Sequence, residues 1–235
     1  MSLFLRVTAT CTKCGKQAET ELAASVNAAR RGDLREAIID GSFQSLACSG
    51  CGTAIRLPAH LTYIDVTRGQ WILVEETDRL EQWYTVEADA TALYDQAFGR
   101  LAPPVQRKMG AEIDARLVFG WTALREKLIA KQAGLDDAIL EALKISVLRN
   151  VPAPPLNDRT ELRLIDVAED GALLLRWVNG MTEQGIVDLP LKRELYDTLA
   201  ANLGPWEALL ADIRRGLFVD MNRLLIAPPA QGMAA

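Results

Sequence analysis

The stretches CTKCG, residues 11–15, and CSGCG, residues 48–52, contain all four cysteines of the chain. A strand-like run precedes each pair, and a glycine, Gly15 or Gly52, follows it. This pattern is typical of a zinc knuckle, a tight turn in which backbone N–H groups point at thiolates and glycine adopts a conformation that most residues avoid. A thioredoxin-type redox site instead needs one such pair at the start of a helix. The two copies therefore favour a metal site over redox cysteines or disulfides.

Four thiolates complete the tetrahedral shell that a structural zinc ion prefers and leave no position for water. We therefore predict one structural Zn²⁺ per chain, and the pattern leaves open whether iron takes its place. The 33 residues between the pairs exceed the roughly 15–20 of a compact four-cysteine module, so an insertion must separate them. His60, the only histidine, is predicted to be a surface or hydrogen-bonded residue and not a fifth ligand. The predicted ligands are Cys11, Cys14, Cys48 and Cys51.

The composition is that of an ordinary globular protein: 235 residues, 49% hydrophobic and 24% charged, with a formal net charge of −5. An acidic chain has no general positive field to attract phosphate backbones. The N-terminus has no signal-peptide pattern, and no window approaches the roughly 18 consecutive apolar residues of a membrane span. We therefore expect a cytoplasmic protein with no membrane contact. In that reducing compartment, paired cysteines are more often metal ligands or redox catalysts than disulfides.

Residues 1–78 are predicted to form a small antiparallel β module that zinc pins at one end. KQAETELAASVN has the alternation of a strand, and DLREAIIDGS reads as a short inserted helix with Asp33 as its N-cap and Gly41 at its end. TAIRLPAHLTYIDVTRGQWILVEE then predicts two or three strands, with TRGQ as a hairpin turn.

The remaining chain is predicted to hold a helical region, a connector and a small α+β unit, at residues 79–150, 151–158 and 159–235. PVQRKMGAEIDARLVFGWTALREKLIAKQAG carries a long helical pattern interrupted by Gly110 and Gly120, and prolines mark the connector. The last unit begins with the hairpin ELRLIDVAEDGALLLRWVNG, continues with two helices and ends with LFVDMNRLLIAP, predicted as a strand leading into a helical turn. The fold class is therefore predicted to be α+β.

CTKCG, the insert VNAARRGDLREAIIDGSF, LACSGCG and LTYIDVTRGQWILV together resemble the CpXC-domain family of bacteria and archaea. The resemblance covers about residues 5–76 and extends, through the following helical region, to about residue 150. The chain departs from the family pattern at Thr12 and Ser49, where the family has proline, and at Tyr63–Ile64–Asp65, where the family has a Tyr-His-Asp-like stretch. The resemblance implies a zinc-ribbon-like module with cysteine ligands and names no activity.

Three functional hypotheses follow. The first is a non-enzymatic, zinc-stabilised interaction or scaffold protein that binds protein partners, and the apolar helical faces leave homo-oligomers open. The second is nucleic-acid binding through the basic residues of the first module. The third is an enzyme whose site the sequence does not reveal, since it contains no phosphate loop, dinucleotide glycine motif, metalloprotease helix or nucleophile elbow. No catalytic or cofactor-binding residue is predicted. The basic residues are Lys13, Lys16, Arg30, Arg31, Arg35 and Arg56.

Overall fold

The computed structural model describes residues 1–155, 157 and 159–228 and confirms the predicted α+β class. Within these residues the chain forms eight α-helices and ten strands arranged in three sheets. None of the described helices is long and apolar enough to cross a membrane. The first elements are β1 (Leu3–Thr10), β2 (Gln17–Asn27), α1 (Gly32–Asp40), β3 (Ser45–Ala47), β4 (Ala54–Arg56), β5 (Leu61–Asp65) and β6 (Gln70–Glu75).

The inserted helix α1 ends as predicted but begins differently. Gly41 follows its last residue with a φ of 84°, and its backbone N–H donates to the carbonyl of Ile38. Asp33, predicted as the N-cap, lies inside the first turn. Its carboxylate accepts a hydrogen bond from the Arg31 guanidinium, 2.6 Å away, instead of capping the backbone. The predicted N-cap is therefore wrong by two positions.

The central sheet contains a strand that the sequence pattern did not indicate. Its order is β1-β2-β5-β6-β7, where β7 (Asp114–Phe119) runs parallel to β6 and lies within the segment predicted as helical. DARLVF alternates between two buried layers, which is the pattern of a strand covered on both faces. Gly120, with a φ of 80°, follows it and allows the chain to turn directly into a helix. The sheet is therefore mixed and not purely antiparallel, because two of its strand pairs, β6–β7 and β2–β5, are parallel.

Helices cover both faces of this sheet. One face packs Tyr63, Ile72 and Val118 against α1 and α4 (Gly120–Gln132), whereas the other packs Trp71, Leu117 and neighbouring residues against α2 (Trp83–Ala97). This arrangement leaves the starts of β6 and β7 facing the last turns of α4. Two further helices complete this region, α3 (Pro104–Gly110) and α5 (Asp137–Asn150).

The C-terminal part forms a three-stranded antiparallel sheet in the order β10-β9-β8. A single hydrophobic core joins α4 and α5 to this sheet and to the helices that follow it. Residues 217–220, predicted as part of a strand, are not one: the Phe218 N–H is bound by the Glu87 side chain, and the Phe218 ring packs on Trp83 and Phe119. The elements are β8 (Thr160–Val167), β9 (Leu173–Asn179), β10 (Gly185–Leu191), α6 (Arg193–Ala201), α7 (Glu207–Ile213) and α8 (Asn222–Leu225).

The division of the chain into four units stays a prediction. Helix α5 ends at Asn150, immediately before the predicted connector 151–158, of which residues 156 and 158 lie outside the described part of the chain. The two sides of this connector share one hydrophobic core, to which Leu140 of α5 and Leu162 of β8 both contribute.

Candidate metal centre

The two cysteine pairs occupy turns of the same backbone geometry. In the first turn the Gly15 N–H donates to the carbonyl of Cys11 over 2.8 Å, and in the second the Gly52 N–H donates to that of Cys48 over the same distance. Both glycines have a φ of 72°, in the left-handed region that residues with a Cβ rarely adopt. The first turn joins β1 to β2, and the second joins β3 to β4. The sequence therefore folds into two matched knuckles.

The knuckles bring all four sulfur atoms together. Cys11 Sγ lies 3.7 Å from Cys51 Sγ, Cys14 Sγ lies 3.5 Å from Cys48 Sγ, and all four lie within 4.8 Å of one another. These separations exclude disulfides, whose sulfur atoms are about 2.05 Å apart. Sulfur atoms placed about 2.3 Å from a tetrahedral ion are about 3.8 Å apart, close to the two measured distances. The four thiols therefore fit a metal ion with tetrahedral sulfur coordination.

Hydrogen bonds already stabilise the ionised form of two of these thiols. The backbone N–H groups of Gly50 and Cys51 lower the pKa of Cys48, and the hydroxyl and backbone N–H of Thr53 lower that of Cys51 to about 6. For Cys14 a backbone hydrogen bond from Lys16 acts in the same direction, but shared hydrogen bonds with Cys48 and Cys51 raise its pKa overall to about 12. Four adjacent thiols cannot all ionise alone, so metal binding would release protons from this cluster.

The hydrophobic core around the knuckles is small. Its buried members are Ala9, Cys11, Cys48, Ile55 and Leu57, two of which are themselves candidate ligands. The sheet formed by β3 and β4 has three residues in each strand. Such a short hairpin with so few apolar contacts is only marginally stable unless a further constraint holds it together. A bound metal would supply that constraint.

His60 lies outside the sulfur cluster, as predicted. Its Nδ1 is 3.0 Å from Glu75 Oε2, and its side chain is 60% exposed. Nor does the Tyr63–Ile64–Asp65 stretch build a reactive site: Tyr63 is fully buried in the core, which raises its pKa, and Asp65 accepts a hydrogen bond from Thr67 Oγ1 at 2.6 Å. Both polar residues of this stretch are therefore buried in the fold around β5.

The six basic residues of the first module do not form one surface. Arg31 pairs with Asp33, and Arg56 pairs with Glu183 at 2.6 Å. Arg35 is buried and donates to Gln132 Oε1. The other three, Lys13, Lys16 and Arg30, are exposed.

A second polar cluster, which the sequence did not reveal, lies deep between α4, α5 and β8. Lys144 Nζ is fully buried, 3.0 Å from Glu126 Oε1 and 2.8 Å from Glu141 Oε2. The Arg163 guanidinium lies 2.6 Å from Asp220 and 3.0 Å from Glu126. We call the connected salt bridges the buried ionic network. Its members are Arg116, Glu126, Lys127, Asp137, Glu141, Lys144, Glu161, Arg163 and Asp220.

Three carboxylates of this network, from Glu126, Glu141 and Asp220, lie close enough to share a metal ion. However, each of them already forms a salt bridge, Glu126 and Glu141 with the Lys144 ammonium and Asp220 with the Arg163 guanidinium. Burial raises the pKa of Glu141 to about 7, although Lys144 acts against this shift. No local sequence pattern indicates this burial: α4 buries ten of its thirteen residues, and the charged Glu126 and Lys127 are among them.

Comparison with known proteins identifies the family. The model of the CpXC protein family matches residues 9–144, which is more than half of the chain and includes both knuckles. No curated protein and no solved structure matches this chain. The matched range reaches from the first knuckle through β7, α4 and most of α5. The chain therefore belongs to the CpXC family.

Proposed function

We propose that this protein is a non-enzymatic interaction protein in which Cys11, Cys14, Cys48 and Cys51 hold one structural zinc ion. The observation that carries the proposal is the convergence of four sulfur atoms from two matched knuckles. Four thiolates saturate a tetrahedral ion, so no position is left for a substrate or an activated water. The metal then contributes folding free energy to the knuckles and takes no part in chemistry.

An exposed strand edge supports a protein as the partner. β1 is the outermost strand of the five-stranded sheet and runs directly into the first knuckle. Leu3 and Leu5 on this strand are 51% and 49% exposed. An edge strand with unpaired backbone groups and apolar side chains can accept an added strand from another protein. Zinc would hold this edge in place by fixing the turn at its end.

Metal analysis of the purified full-length chain tests the zinc assignment. We expect about one zinc per chain, because the four cysteines form one closed site. A strong chelator should remove it and increase hydrogen exchange in β3, β4 and both knuckles. A protein that is free of metal and still protected from exchange in the knuckles would contradict the assignment, and one iron per chain would replace zinc by iron.

Affinity capture from the native cell extract tests the partner. We expect the zinc-loaded protein to retain a specific protein that Leu5→Lys fails to retain, because the added charge lies on the proposed edge. Leu101→Lys is the matched control, since Leu101 is 72% exposed and lies after α2, outside the sheet. Equal capture by all three proteins would contradict a partner at β1.

Nucleic-acid binding is the second candidate, and the exposed Lys13 and Lys16 on the first knuckle favour it. Phosphate contacts make binding weaken steeply with salt, whereas apolar strand addition depends on salt only weakly. Binding of a short RNA or DNA duplex, measured from low to high salt, therefore separates the two. Lack of binding at low salt would eliminate this candidate.

A further inference from the structure

The outer strand β1 presents a regular edge with little charge. It pairs with β2 along Leu3–Thr10, and no other described strand lies beside it. The register shifts between Leu3 and Phe4, so the regular part of the strand runs from Phe4 to Thr10. This part contains no proline and only one charged residue, Arg6, although natural edge strands commonly use both kinds of residue to discourage pairing with another chain. The edge of β1 is therefore suited to pair with an added strand.

The other outer strands of the two larger sheets are each obstructed. On β7 the Leu117 N–H donates to the carbonyl of Leu217 over 2.8 Å. On β8 the Leu164 N–H donates to the Glu126 carboxylate over 2.6 Å. β10 contains Pro190, a residue that strands tolerate where its missing N–H would face away from the sheet. Of these four described edges, β1 is therefore the one open to strand pairing.

The two faces of β1 differ in chemistry, because successive side chains of a strand point to opposite sides. The residues of the apolar face are Leu5, Val7 and Ala9. On the polar face Arg6 lies opposite Glu21 of β2, and Thr8 lies opposite Glu19. Thr8 Oγ1 donates to Glu19 Oε1 over 2.9 Å, and all four of these polar side chains are exposed. The polar face therefore carries a cation on the outer strand and carboxylates on the next one.

A face with both charge signs is complementary to a second copy of itself across a two-fold axis. In an antiparallel pair related by such an axis, the residue on the axis lies opposite itself. The middle residue of the regular part of β1 is Val7. With Val7 on the axis, Arg6 lies opposite the partner's Thr8, and the partner's Glu19 follows on the next strand. With Arg6 on the axis, two like charges would instead lie directly opposite each other, which is destabilising.

We propose that β1 pairs antiparallel with β1 of a second copy of the chain, with Val7 on the two-fold axis. The two five-stranded sheets then join into one continuous sheet. The same face of both copies lies on the same side of it, so Leu5 meets the partner's Ala9. This inference rests on the protein partner proposed above for the edge of β1, and it identifies that partner as a second copy.

Sedimentation equilibrium of the zinc-loaded, full-length protein tests the self-association. We expect a monomer–dimer equilibrium at micromolar concentrations, and Leu5→Lys should weaken the dimer at least tenfold, a change equivalent to about 1.4 kcal/mol. Leu101→Lys is the matched control and should associate like the wild type. A wild type that stays monomeric at every concentration would overturn the proposal, as would equal weakening by both variants. If that monomer captures a different protein through β1, the interaction function proposed above stands without the dimer, and metal analysis of the same samples tests the zinc site separately.

Exchange of charges tests the register and the identity of the partner. Thr8→Lys places a cation opposite the partner's Arg6 on both sides of the axis, so we expect at least tenfold weaker association. Adding Arg6→Glu to Thr8→Lys converts both contacts into opposite-charge pairs and should restore the dimer. Gln106→Lys, which adds the same charge at an exposed position of α3, should have no effect. Unchanged association of Thr8→Lys, or a double variant that associates as weakly as Thr8→Lys, would refute this pairing.

Discussion

The sulfur cluster and the buried ionic network both gather polar side chains from distant parts of the sequence, but they are held in opposite ways. Two of the four cysteines, Cys11 and Cys48, belong to a core of only five buried residues, and Cys14 is exposed. The network lies between two large hydrophobic cores, with Glu126, Glu141 and Lys144 completely buried. The thiols lack an internal counter-charge, whereas the network supplies its own cations. The first cluster therefore depends on a bound ion and the second on its neighbours in the chain.

The largest expected effect tests the dependence on an ion. Cys14→Ser removes one of four ligands, so we expect loss of stoichiometric zinc and unfolding of both knuckles. Bound zinc contributes about 10–16 kcal/mol to the folding of zinc-finger peptides, and most of this contribution should disappear. Ser49→Ala, an exposed change in the second knuckle, is the control and should keep its zinc. Full metal content in Cys14→Ser would mean that the cluster is not the binding site.

The next prediction tests whether the carboxylates of the buried ionic network are stabilised by the cations of the same network. Lys144→Met leaves Glu126 and Glu141 buried without their shared cation, so we expect the free energy of unfolding in urea to fall by about 3–5 kcal/mol. The exposed salt bridge between Lys131 and Asp114 offers a matched control. Lys131→Met should lower the free energy of unfolding by less than about 1 kcal/mol. Adding Glu141→Leu to Lys144→Met should recover part of the loss, because it removes a buried carboxyl that has lost its cation. Similar costs for Lys144→Met and Lys131→Met would show that the buried pairs contribute no more than surface pairs.

The pH dependence of stability provides a third test. Of the two clusters, only the buried ionic network contains a buried carboxyl with a raised pKa. The pKa of Glu141 rises from its usual 4.5 to about 7 through burial and through the nearby Asp220 and Glu126, against the opposing charges of Lys144 and Lys127. The folded protein therefore holds a proton that the unfolded chain releases. This contribution is fully present below pH 4.5 and is lost as the pH rises through 7, at no more than about 1.4 kcal/mol per pH unit.

Urea unfolding at several pH values measures this slope. Glu141→Gln removes the titrating group and retains an acceptor for the Met221 N–H, which now binds Glu141 Oε2. We expect the difference in stability between wild type and variant to change between pH 4.5 and 7. A difference that stays constant over this range would show that Glu141 does not hold the proton.

The smallest effect concerns the backbone of the knuckles. Gly52→Ala places a Cβ on a residue with a φ of 72°, which costs about 1–2 kcal/mol although no atom lies within 4 Å of the new group. We expect a correspondingly lower midpoint for chelator-induced unfolding. Gly32→Ala at the start of α1 has equally open space without a positive φ, and should be neutral or slightly stabilising. Equal effects at both positions would exclude a special role for the turn.

The comparison also explains how much of the molecule could be predicted from the sequence. The knuckles are local: a Cys-x-x-Cys-Gly pattern encodes both the ligands and the turn, so the clustering of Cys11, Cys14, Cys48 and Cys51 was predicted correctly. The inserted helix, its end at Gly41 and the strands around Gly69 were also predictable from local patterns. That zinc is the ion bound stays a prediction.

The buried ionic network and β7 could not be predicted in this way, because both depend on contacts between residues that are distant in the sequence. Whether Glu126 faces solvent or Lys144 depends on how α4 packs on α5 and β8, and helical periodicity alone does not reveal that packing. The sequence pattern places DARLVF in a helix because its neighbours on both sides are helical, and only pairing with β6 makes it a strand.

The segment Leu217–Ile226 has a consequence for the order in which the protein folds during synthesis. Phe218 fills the space between Trp83 and Phe119, Lys127 donates to the carbonyl of Val219, and the Trp83 indole donates to that of Ile226. These partners leave the ribosome earlier, by 92 residues for Lys127 and Val219 and by 143 for Trp83 and Ile226. At about 5–20 residues per second, the core around α2 and the Lys127 ammonium remain uncovered for about 5–30 s. We therefore expect the nascent chain to be a substrate for chaperones during that interval.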